Sequence, residues 1–120
     1  MQKQANEINL EKHDDVTLMD IKGDVTAFSE PFLKSAYDDP NSSGAKKLLL
    51  QFQKDSYINS GGIALLIQIL AQSKRNNQKI GLTGLSDHFK KVFHMVGITR
   101  FATIYSTQDE ALKAMSAVAV

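Results

Sequence analysis

The sequence predicts an α/β domain with a central mixed, mostly parallel sheet and helices packed mainly on one side. Three observations predict it. Short apolar or alternating stretches are interleaved with stretches of helical periodicity in the order β β α β α β α β α, within 120 residues. Alternation on this scale marks parallel strands joined by helical crossovers. The first two strands have no helix between them, so they form a hairpin. The stretch from Leu48 to Lys74 is one strand–loop–helix unit, an apolar run followed by a glycine-containing junction and a long apolar helix.

Taken in order, Ile8 to Lys12 alternates weakly and Val16 to Ile21 more clearly, with Val16 and Leu18, and in extension Asp20, on one face. His13-Asp14-Asp15 supplies the turn between them. Gly23 ends the second strand and Asp24 to Ala27 form a loop. Ser29-Glu30-Pro31 starts a helix, proline being tolerated in a first turn. Phe28, Phe32 and Ala36 recur at helical spacing, with Leu33 and Tyr37 beside them. Asp38 to Gly44 reads as a loop. Leu48 to Phe52 is the length of a buried strand, and Ile63 to Leu70 runs without a breaker into polar Gln72 to Arg75, which predicts a helix. Lys79 to Thr83 is a short strand. Leu85, Phe89, Val92 and Val96 set out a further helix, capped by Ser86 or Thr83 and closed near Gly97. Phe101 to Tyr105 reads as a last strand. Thr107 to Glu110 offers a capping box for a helix through about Ala117. The chain is expected to be one domain over 1–120, frayed from about 113 to 120.

Composition excludes several classes. The 14 Lys and Arg balance 13 Asp and Glu, so no overall electrostatic footprint for nucleic acid or an anionic membrane is expected. The absence of cysteine excludes disulfides and thiolate metal sites. The polar start MQKQANEINLEK has no apolar signal core, and with it a cytoplasmic protein is expected. His13, His88 and His94 are too scattered for a ligand cluster, so no metal or cofactor is expected. Lys90, Lys91, His94 and Arg100 read as a solvated basic face. No pair of carboxylates has the spacing of a general acid/base couple, so catalysis has no positive support.

The junction Asn59-Ser60-Gly61-Gly62 places a serine where a strand hands over to a helix N-terminus. The first N–H groups of a helix lack intrahelical partners and its dipole adds partial positive charge, so such a place favours an anion, a phosphate on a nearby side chain included. Chemistry alone favours the plainer reading, in which Asn59 or Ser60 is an N-cap and the glycines form a tight turn. No Gly-Lys-Ser/Thr ending makes it a P-loop, and no Gly precedes Ser60 by two residues as in a nucleophile elbow. On the helix that follows, Ile63, Leu66, Ile67 and Leu70 form one stripe sufficient to cover a sheet. Leu65 and Ile69 lie to the side of it. They are read either as part of a wide buried face, the slightly favoured reading, or as an exposed apolar ridge beside Ser60 that a partner covers.

Together these pieces resemble the STAS domain, specifically the bacterial anti-sigma factor antagonists, over nearly the whole chain. Gly23-Asp24-Val25-Thr26 looks like the family's segment closing the second strand. Leu48 to Phe52 with Tyr57-Ile58 looks like its central strand and the approach to its signature. Asn59-Ser60-Gly61-Gly62-Ile63 is similar to the D-S-S/T-G-L/I signature, whose first serine is phosphorylated. Asn59 and Gln51 stand where the family usually carries aspartates, and Gly61 stands in place of Ser or Thr.

The resemblance implies a non-catalytic protein that binds an anti-sigma factor, itself a serine kinase, and is released when Ser60 is phosphorylated. A PPM-type phosphatase would restore binding. Asp24, Thr26, Asn59, Ser60, Gly61 and Gly62, with Leu65 and Ile69, are the implied partner surface. Two rivals stand beside this reading. One is a STAS scaffold for another regulator with Ser60 never modified, motivated by Asn59 and Gln51. The other is a small-molecule or nucleotide-binding domain that uses the Ser60–Gly62 helix terminus.

Overall fold

The computed structural model describes residues 6–116. β1 (Glu7–His13) and β2 (Val16–Lys22) form the expected antiparallel hairpin, turned by Asp14 at a φ of 56°. β3 (Lys47–Gln51), β4 (Lys79–Thr83) and β5 (Thr103–Ile104) then add in parallel, giving one mixed sheet in the order β1-β2-β3-β4-β5. β2 and β3 are apolar on both faces because both faces are covered. Met19, Ile21, Leu48 and Leu50 join Ile80 and Leu82 in the larger core, against helices α1 (Glu30–Asp38), α3 (Ser60–Arg75) and α4 (Asp87–Met95). Val16, Leu18 and Leu49 point the other way, onto Ala111 and Met115 of α5 (Gln108–Ser116). Helices therefore lie mainly, but not wholly, on one side. No helix among the described residues is long and apolar enough to cross a membrane.

Of the two readings of Leu65 and Ile69, the favoured wide buried face holds and the exposed partner-binding ridge does not: each is only 5% exposed and packs in the larger core with Leu33 and Tyr37 of α1. Other expectations change. The buried stripe of α3 is Gly62, Leu65, Leu66, Ile69, Leu70 and Ser73, whereas Ile63 and Ile67 sit at its margin. The cause is the close seat of Gly62 on Val25, which fixes the rotation of the helix: a Cβ on Gly62 would stand 2.1 Å from the Val25 carbonyl oxygen. The same shift occurs in α1, where Leu33 and Tyr37 are buried and Phe28 and Phe32 exposed.

The stretch 38–44 is not a plain loop. Pro40–Ser43 makes one helical turn, α2, capped by the Asp39 side chain, which accepts from the Asn41 N–H at 2.9 Å. The buried Gln78 amide holds it by donating to the carbonyls of Ser42 and Ala45, both at 2.7 Å, while its oxygen accepts from the Tyr37 hydroxyl. At the other end of the chain, Phe101 caps a 3-10 turn at Ile98–Arg100, and the strand expected from Phe101 to Tyr105 shortens to the two residues of β5. The expected fraying from 113 is also corrected, since α5 continues to Ser116 and Met115 is fully buried over Gly81. Residues 117–120, and the reach of that helix to Ala117, lie outside the described residues.

One ion pair yields a pH prediction. Lys47 Nζ lies 2.7 Å from Asp15 Oδ2, and this hydrogen bond holds the Asp15 carboxyl below its usual value of 3.8. A carboxylate whose folded pKa is depressed contributes stability above its unfolded pKa and loses it as pH falls through the folded one. The gain is therefore complete above about pH 4 and is lost below that. An NMR titration should place the Asp15 midpoint below the usual carboxylate value in wild type and raise it in Lys47→Met; an unchanged midpoint would remove the pair from the account.

Candidate functional site

The site is built where β2 and β3 end. Gly23, at a φ of 93°, turns the chain out of β2, and its N–H donates to Gln53 Oε1 at 2.9 Å. Asp24 Oδ1 then accepts from the Tyr57 N–H at 2.9 Å, tying the loop after β2 to the loop after β3. One residue on, Val25 forms a parallel bridge with Ile58: the Val25 N–H donates to the Tyr57 carbonyl at 2.9 Å and the Asn59 N–H to the Val25 carbonyl at 3.2 Å. Val25 and Ile58 are both buried, so this bridge extends the sheet's ladder beyond β3 and leads directly into α3.

Thr26 begins the next turn as a cap. Its Oγ1 accepts from the Phe28 N–H at 3.1 Å, and Ser29 Oγ accepts from the Thr26 N–H at 3.0 Å while donating to the Asp24 carbonyl at 3.2 Å. The resulting 3-10 turn, Ala27–Ser29, sits against α3 at Gly61, where a Cβ would come within 3.0 Å of Ala27 Cβ. Asn59 is the N-cap of α3, its Oδ1 accepting from the Gly62 N–H at 2.9 Å. A carboxamide oxygen performs this capping as an aspartate would, without the charge. Ser60 is the first residue of the helix, and it is exposed.

The structure thus brings Asp24, Thr26, Asn59, Ser60, Gly61 and Gly62 together at one end of the sheet, and leaves Leu65 and Ile69 beneath the surface. Asn59 satisfies the third N–H of α3, and helix geometry leaves those of Ser60 and Gly61 without intrahelical acceptors. An oxyanion on Ser60 would meet these donors and the positive end of a 16-residue helix dipole. Among the described residues, no group of three His, Cys, Asp or Glu is placed to hold a metal ion.

Two exposed aromatics flank this end and were not singled out as site residues: Phe28, 64% exposed, and Tyr57, 59% exposed. Tyr57 meets Phe89 of α4 edge to face at 6.2 Å. Phe28 falls in helical register with Phe32 and reads as core for that reason. The signal against it is the Thr26-x-x-Ser29 capping pair, which closes a separate turn before α1 begins.

The family model described as "STAS domain" matches residues 7–111. Among curated proteins, the chain is similar to the anti-sigma-B factor antagonist of Staphylococcus aureus, with 20% identity over 78 residues, covering 65% of this chain and 72% of that protein. Among solved structures it is similar to an anti-sigma factor antagonist from Mycobacterium paratuberculosis, with a TM-score of 0.78 and 19% identity over 93% of this chain and 95% of that one. It is also similar to the phosphorylated form of the Bacillus cell fate determinant SpoIIAA, with a TM-score of 0.64 and 15% identity over 90% and 98% of the two chains. At these identities the structural likenesses establish the fold.

Proposed function

Because this chain belongs to the STAS domain family, a family of regulatory binding proteins rather than enzymes, we propose that it is an anti-sigma factor antagonist switched by phosphorylation of Ser60. The partner in this reading is an anti-sigma factor that is also a serine kinase, and a PPM-type phosphatase reverses the mark. The observation that carries it is the placement of an exposed serine at the first position of α3, beside the loop that Asp24 ties down. The names of the relatives support the same direction.

Phosphoserine brings about −1.5 to −2 charges and three strong acceptor oxygens. At position 60 the helix terminus satisfies part of that charge internally, so the fold is kept. Against a partner surface complementary to a neutral hydroxyl, the same charge is desolvated and repelled. One modification then abolishes binding without unfolding the antagonist.

The test pairs the chain with its cognate anti-sigma kinase and ATP. Wild type should be labelled at Ser60, and Ser60→Ala should take no label while still binding. Ser56 is the internal control, since it is only 8% exposed and its hydroxyl lies 3.4 Å from Gln53 Oε1. Ser60→Asp should weaken the complex by roughly tenfold, about 1.4 kcal/mol, and less than phosphate does. A second reading, a scaffold that is never phosphorylated, is favoured by Asn59, whose neutral oxygen does the capping in place of the family's aspartate. Under that reading no label appears and Ser60→Asp binds like wild type.

A further inference from the structure

Charge is balanced over the whole chain but unevenly placed. Between Ser56 and Gln108 six Lys and Arg side chains stand against one carboxylate, Asp87, and that one is paired with Lys90 at 3.8 Å. This segment forms α3, β4, α4 and the turn Ile98–Arg100, and the fold gathers part of its charge at one place. Gly97, at a φ of 83°, reverses the chain after α4, and the Arg100 side chain lies alongside it. Phe101 follows and packs on the core with Lys74 Nζ 5.7 Å from its ring centroid. The last turn of α3 and the turn Ile98–Arg100 that follows α4 therefore meet at Phe101, with Lys74, Lys91, His94 and Arg100 all exposed.

Apolar surface lies among these cations. Met95 is 85% exposed and Val96 45% exposed, and half-buried Val92 and Phe101 connect them to the core. We propose that this surface docks an acidic segment of a protein partner, whose carboxylates pair with Lys74, Lys91 and Arg100 and whose apolar side chains cover Met95, Val96 and Phe101. A surface that presents Lys74, Lys91, His94 and Arg100 selects an anionic occupant. A phosphate polymer would satisfy the charge but leave Met95 and Val96 in water, and two exposed apolar side chains are few for insertion into a bilayer. An acidic peptide with apolar side chains answers both features.

The Lys74 end of this surface is distant from Ser60. Lys74 lies fourteen residues along α3 from it, about 20 Å at 1.5 Å per residue, beyond the Debye length of about 8 Å at physiological salt. A charge added at Ser60 leaves the hold at Lys74 in place. The proposal therefore does not rest on the phosphorylation reading, and it gives a partner a second hold that survives the switch.

The experiment is an NMR titration of the isotope-labelled chain with a synthetic amphipathic peptide of Glu and Leu. The same sequence with Gln for Glu, vesicles of phosphatidylcholine with phosphatidylserine, and a single-stranded oligonucleotide are the comparison probes. The Glu peptide should shift Val92, Met95, Val96, Arg100 and Phe101, with affinity falling as salt rises. Lys91→Glu with Arg100→Glu, and separately Met95→Ser, should each weaken it at least about tenfold. Ser60→Asp should bind the peptide as wild type does, whatever a kinase does to Ser60. Absence of shifts, shifts confined to other surfaces, equal binding of the Gln peptide, or tighter binding of vesicles or oligonucleotide would each overturn the proposal.

Discussion

Leu65→Ala and Ile69→Ala should each destabilise the domain by about 2–5 kcal/mol, the range for large-to-small changes in a close-packed core. Both side chains lie inside the larger core at 5% exposure. Truncating either removes packing from the cluster that also holds Leu33 and Tyr37 of α1 and leaves a cavity in it. Against a total stability of about 5–15 kcal/mol, a single such change removes a large share of the margin. Urea unfolding should show the midpoint falling at an unchanged slope, because the surface exposed on unfolding is nearly the same. A loss under 1 kcal/mol, accompanied by weaker partner binding, would instead return these residues to the surface.

Gly62→Ala should destabilise the domain and displace the Ser60 end of α3 with it. Alanine improves helix propensity over glycine by about 1 kcal/mol, so propensity alone predicts a gain. The new Cβ, however, would lie 2.1 Å from the Val25 oxygen and 2.6 Å from its carbonyl carbon. Backbone cannot swing aside as a side chain does, so α3 must lift from the loop after β2. That strains the Val25–Ile58 bridge and the Asn59-to-Val25 hydrogen bond. Overpacking of this kind costs about 1–3 kcal/mol, occasionally more, which exceeds the propensity gain. Gly61→Ala is the milder comparison: its Cβ meets Ala27 Cβ at 3.0 Å and the Ala27 backbone nitrogen at 3.1 Å, so the turn Ala27–Ser29 must give by a few tenths of an ångström. It should cost less than Gly62→Ala. Equal midpoints for the two variants in thermal unfolding would contradict the tight seat at Gly62.

Strand–helix alternation was legible because it rests on local pattern. The hairpin, the central strand, β4 and the capped helices at Ser86 and Thr107 all fall where the residues place them. Helix rotation was not. In both α1 and α3 the apolar positions are wide enough to offer two stripes, and periodicity measures the width of a stripe without saying which part faces the sheet. In α3 a contact outside the helix decides it, Gly62 on the Val25 backbone, and no spacing within the helix encodes that. The single turn at Pro40–Ser43 was missed for a related reason: its carbonyls are held by Gln78, far along the chain. The positions around Ser60 were legible because caps and glycines announce themselves locally. The aromatics Phe28 and Tyr57 were not, since their exposure follows from how two loops meet.

Each strand of the sheet pairs with the one before it in the chain, and this orders assembly in time. A chain emerging from synthesis amino end first finds the edge for each new strand already laid down, and no strand must later wedge between two others. Only the hairpin closes over a short separation; the parallel pairs join residues as distant as Val16 and Lys47 or Lys47 and Lys79, which slows their closure. The cost falls at the end. Val16, Leu18 and Leu49 have been facing water since the early strands formed, and they are covered only when α5 arrives with Ala111 and Met115. A chain that stalls before Gln108 therefore carries a nearly finished sheet with one apolar side bare, a surface suited to aggregation or chaperone capture. The nine residues of α5 thus close the second face of the sheet.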